Sequence, residues 1–75
     1  MKNAGFTIIK SEFYNEKYAI VLGRKTTEFG TEYVTWDSKP SENSFFWGHY
    51  YTDEKRAMVD YHLRLITYYE SQQQY

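Results

Sequence analysis

The chain has 75 residues, a net charge of −1 and no cysteine. That is room for one small domain, with no disulfide, no thiolate metal site and neither the basic excess of a nucleic-acid binder nor a polyacidic surface. Rings are abundant instead, with nine Tyr, five Phe and two Trp, each able to bury about 150–250 Å² in a core or an interface.

The N-terminal residues Met1-Lys2-Asn3-Ala4-Gly5 carry no apolar run, and no stretch approaches the ~18 apolar residues of a membrane span. A soluble, cytoplasmic protein is expected. Residues 6–12, rich in β-branched and aromatic side chains, predict a first strand. Tyr14-Asn15-Glu16-Lys17 reads as a polar turn. Residues 18–24 form a near-continuous apolar run, as expected of a central strand. Residues 26–30 read as a loop with Gly30 at positive φ, and the alternating residues 31–37 as a third strand. Residues 38–43 contain the single proline and read as a loop.

Residues 44–51 are the fourth strand and contain "FFWGHYY", with six ring-bearing residues and one glycine in seven positions. Strict alternation sends Phe45, Trp47, His49 and Tyr51 to one face and Phe46, Gly48 and Tyr50 to the other. Phe46 and Tyr50 are assigned inward, with Gly48 making room for Tyr61. Trp47, His49 and Tyr51 are assigned outward, beside Tyr33 and Thr35.

A helix is expected over 53–70, with Thr52 as N-cap and Asp53 and Glu54 in the first turn. Ala57, Tyr61, Leu65 and Tyr68 are read as its inner side, with Met58 and Tyr69, and Ile66 as bordering that side. Arg56, Asp60 and Arg64 are read as an opposite, solvated side, where i,i+4 pairing contributes about 0.2–0.5 kcal/mol per pair. The tail 71–75 is expected to fray.

The resulting order is β-β-β-β-α: a single α+β domain over 1–75, a four-stranded antiparallel sheet with one C-terminal helix on one face. One helix cannot cover both faces of a sheet, so the aromatic residues of the other face are expected to await a partner. Trp47, His49, Tyr51, Trp36 and Tyr33 are the expected partner-binding residues. His49 and His62, the only histidines, fit no zinc-ligand spacing, and no nucleophile–base pattern appears. No enzyme, metal or cofactor is therefore expected. Rings on an open sheet also stack single-stranded bases, with Lys10, Arg24, Lys25 and Lys39 available for phosphates. Single-stranded nucleic-acid binding and homodimerisation are the alternatives to protein binding.

Val34-Thr35-Trp36, Trp47-Gly48-His49-Tyr50 and Asp60-Tyr61 with Arg64 form a pattern over residues 33–65. It resembles a group of small proteins carried on phages and conjugative elements of Gram-positive bacteria. The resemblance implies a binding role, either against a host defence component, such as a restriction or CRISPR effector, or within transfer or replication machinery.

Overall fold

A computed structural model describes residues 1–72. Its strands are β1 (Lys2–Asn3), β2 (Phe6–Phe13), β3 (Ala19–Thr27), β4 (Gly30–Lys39) and β5 (Ser44–Tyr51), and one helix follows, α1 (Glu54–Ser71). Each strand pairs antiparallel with the next, giving a meander in the order β1-β2-β3-β4-β5. The sheet therefore has five strands, not four. The additional one is the two-residue β1, too short to leave a periodic signal in the sequence. It is returned by Ala4 and Gly5, both at positive φ (52° and 84°), as a tight two-residue hairpin turn requires.

The other connections follow from local chemistry. The Asn15 side-chain oxygen accepts from the backbone N–H groups of Lys17 and Tyr18, both at 2.8 Å, and closes the β2–β3 turn. The β3–β4 hairpin is tighter than the expected 26–30 loop. Thr27 already pairs with Gly30, so only Glu28 and Phe29 lie in the turn, and Gly30 has φ +128°. Between β4 and β5, Pro40–Glu42 form one 3-10 turn that ends at Asn43, itself left-handed.

The cap of α1 is Asp53 rather than Thr52. Its carboxylate accepts from the N–H of Lys55 at 2.9 Å, and its extended backbone (φ −108°) is the geometry of an N-cap. Ser71 is the last helical residue. Of the tail expected to fray over 71–75, residues 73–75 lie outside the described residues.

Alternation divides the core. On the helix side, Tyr14, Ile20, Leu22 and Tyr33 meet Ala57 and Tyr61. On the far side, Phe6, Val21, Val34 and Trp36 form a second buried cluster, joined by Ile8 and Phe45. A helix covers only the first, yet the second is also buried, so the expectation of an open aromatic face does not hold. Two features close it. The pairing slips by one residue in β2, between Ile8 and Lys10, and again opposite Thr35 and Asp37; such bulges bend and twist a sheet. In addition, Trp36 lies flat across two glycines. A Cβ on Gly48 would stand 2.9 Å from Trp36 Nε1, and one on Gly23 would stand 3.3 Å from the far edge of the same ring. Phe6 and Phe45 then close on Trp36 edge-on, at centroid distances of 5.6 and 5.3 Å, and the Lys25 ammonium caps the Phe6 ring at 4.7 Å.

Candidate functional site

β5 is an edge strand, and its bulge determines what it presents. Phe46 is paired with Asp37 and His49 with Thr35, so Trp47 and Gly48 together oppose the single residue Trp36. Trp47 takes the left-handed position of the bulge, φ 55°, where glycine is the usual occupant. A left-handed backbone costs an L-residue roughly 1–2 kcal/mol. Pairing on both sides of the bulge and the seating of Gly48 on Trp36 hold it there. The Trp47 side chain is consequently thrown off the sheet and is 69% exposed, touching Phe46 edge-on at 5.3 Å.

The extra residue also reverses the alternation beyond it. Phe46, before the bulge, faces the helix side, its ring 6.3 Å from Tyr18. His49 and Tyr51, after it, face the helix side too: His49 bonds to Asp60 of α1, and Tyr51 packs on the helix-side core. Tyr50 faces the other way, 6.1 Å from Phe6, and remains 61% exposed. The inward assignment of Tyr50 and the outward assignments of His49 and Tyr51 are thus corrected. Gly48 accommodates a ring, but the ring is Trp36 and not Tyr61.

The five sequence-predicted contact residues therefore separate. Trp47 is exposed at the edge. His49 is exposed beside it but tied to the helix. Tyr51 is partly buried under the start of α1. Tyr33 and Trp36 are buried in the two core clusters and are not surface residues, because β4 is central and both of its faces are covered.

Beneath the helix lies a polar chain. His49 Nδ1 is 2.9 Å from Asp60 Oδ2. The Thr35 hydroxyl donates to the same carboxylate oxygen. Arg64 Nη1 donates to the Thr35 carbonyl and hydroxyl oxygens at 3.2 and 3.1 Å. Arg64 is buried, in contrast to the solvated position expected of it; it stands two helical turns (i, i+7) from Ala57 and so shares the inner face. Asp60 is turned toward β4 and β5, and Arg56 meets Asp53 at 3.8 Å, so the expected Asp60–arginine pairs do not form.

A second polar contact adjoins this chain. The Tyr14 hydroxyl donates to both oxygens of the buried Asp37 carboxyl, at 3.0 and 3.1 Å. Burial pushes the Asp37 carboxyl above its ordinary value, against the opposing pull of the Tyr14 and Ser38 hydrogen bonds and of Arg64. Burial also raises the Tyr14 phenol, reinforced by Asp37, and pushes Tyr61 up to about 12. These groups fix helix against sheet. Tyr14 also borders an open groove with Phe13, Leu65 and Ile66, and Asp60 borders another with Tyr51, Val59 and Leu63; among the described residues no three His, Asp or Glu side chains cluster as metal ligands.

Sequence reasoning missed the bulge and the buried Arg64. The second could have been found from the seven-residue interval to Ala57. The first leaves only a weak trace, a glycine inside an aromatic strand. Among the described residues no helix is long and apolar enough to cross a membrane. No family model, curated protein or solved structure matches the chain.

Proposed function

We propose that this protein is a protein-binding module that acts by occluding a surface of its partner, with Trp47 as the anchor. The carrying observation is that a tryptophan occupies a left-handed bulge position and is exposed there. Backbone strain of this kind, about 1–3 kcal/mol, accumulates where function uses it, and exposed Trp and Tyr are the residues that most often dominate interfaces. Tyr50 and His49 flank the anchor on the same edge strand. The resemblance over residues 33–65 to proteins of phages and conjugative elements favours a cytoplasmic host defence effector as the partner.

Single-stranded nucleic-acid binding is less well supported by the arrangement of side chains. Trp36 and Tyr33 are withdrawn into the core, leaving no row of rings. Three of the four basic residues considered for phosphate contact are engaged elsewhere: Lys39 with Glu42 at 2.8 Å, Lys25 over Phe6 and Lys10 over Tyr61.

The test is affinity capture from host lysate, with nuclease, using the wild-type chain and Trp47→Gly as baits. Glycine suits the backbone at this position, so the variant keeps the fold and loses only the ring. A host protein retained by the wild type and lost by the variant is expected. Equal capture by both, or capture abolished by nuclease, would overturn the reading.

A further inference from the structure

The outward side of α1 carries a pattern that the Trp47 site does not use. Lys55, Val59, Leu63, Ile66 and Glu70 fall on one line along the helix at 3.6-residue spacing. All five are exposed, and Val59, Leu63 and Ile66 are 58%, 56% and 56% exposed. The helix thus has a second apolar stripe, on the side away from the sheet, with a cation at its N-terminal end and an anion at its C-terminal end.

The terminal charges oppose the helix's own field. A helix N-terminus favours anions and its C-terminus cations, so Lys55 in the first turn and Glu70 in the last are both placed unfavourably. Neither has an ion-pair partner among the described residues. A second helix running antiparallel across the stripe corrects both at once. With the two-fold axis at Leu63, Lys55 of one copy meets Glu70 of the other, Val59 meets Ile66, and the two Leu63 side chains meet near the axis. Lys55 and Glu70 are about 22 Å apart along the helix, and the apolar residues fill the interval between them. The pattern is self-complementary only in the antiparallel sense, which is what an isologous two-fold interface requires.

We infer that the chain forms an antiparallel homodimer through the outer face of α1, in a sheet–helix–helix–sheet arrangement that leaves the β5 edge and Trp47 free. The occupant of this stripe is a second copy because the charge pattern matches its own reverse. A partner of uniform charge would satisfy one end and repel at the other. This inference is independent of what Trp47 binds.

The experiment is sedimentation equilibrium of the full chain, with four variants. Because the altered side chains are exposed, circular dichroism should show the same helix content in each. Wild type is expected to pass from monomer to dimer with rising concentration in the micromolar range that small interfaces span. Leu63→Glu, which sets two carboxylates together at the axis, should remain monomeric. Lys55→Glu and Glu70→Lys should each weaken the dimer at least tenfold at low salt, and the double exchange Lys55→Glu/Glu70→Lys should restore it. A wild-type chain that stays monomeric, a dimer indifferent to Leu63→Glu, or a double exchange no tighter than the single reversals would each overturn the inference.

Discussion

Replacing Trp47 by alanine and by glycine separates the backbone of the bulge from the ring that it displays. Both substitutions remove the same ring and the same contact with Phe46, so packing losses cancel between them. What differs is tolerance of φ 55°. Alanine retains the left-handed penalty of roughly 1–2 kcal/mol, whereas glycine is free of it but is handicapped by about 0.5–1 kcal/mol of extra chain entropy. The glycine variant should therefore be the more stable by about 0.5–1 kcal/mol, which in a domain of this size is a difference in Tm of about 2–8 °C. In a regular strand the order is the reverse. Thermal and urea unfolding of the two variants, followed by far-UV circular dichroism, would measure it. An alanine variant equal to or more stable than the glycine variant would refute the left-handed bulge, and with it the strain argument for a binding role. Both variants should lose the partner equally, since neither carries the ring.

Other outcomes test the surrounding structure. Gly48→Ala places a methyl group 2.9 Å from Trp36 Nε1 and should destabilise by about 1–3 kcal/mol; Trp36→Phe should recover part of that in a double-mutant cycle. Trp36→Phe alone should leave a red-shifted emission strongly quenched by acrylamide, and Trp47→Phe a blue-shifted emission that is protected, because Trp36 is 4% and Trp47 69% exposed. The raised Asp37 carboxyl binds its proton more tightly folded than unfolded. Its protonated form therefore contributes stability that is fully present below the unfolded value, about 3.9, and is lost as pH rises through the raised folded value. Asp37→Asn cannot titrate, so urea titrations from pH 3 to 7 should show the stability difference moving in favour of the variant as pH rises. A difference that stays constant would contradict the burial of this carboxyl. At high pH the sign is set by the phenols: Tyr14 and Tyr61 stay protonated in the fold after unfolded tyrosines begin to ionise near 10. Stability should accordingly fall from about pH 10 upward, and an ultraviolet titration should show these two ionising only as the chain unfolds.

Most of the strand and helix boundaries are properties of short segments, and the sequence carries them. The β-branched runs, the Asn15 turn, the proline-bearing connection and the acidic start of the helix act within a few residues of themselves, and each of the four expected strands and the helix lies within about three residues of its expected place. The faces are another matter. One residue inserted between Phe46 and His49 reverses every side chain that follows, so alternation read along "FFWGHYY" sent His49, Tyr50 and Tyr51 to the wrong sides. Nothing in those seven letters requires the bulge. It exists because β4 opposes β5 and Trp36 must lie across Gly48 and Gly23, residues 12 and 13 positions away in the chain. Covering of the far face is tertiary for the same reason, since it rests on curl and ring packing between strands rather than on a second helix. Apart from the two-residue β1, the sequence by itself therefore determined which segments are strand or helix and that rings would dominate. Only the assembled sheet decided which ring is left outside, because strand pairing, not local pattern, sets where a residue has to bulge.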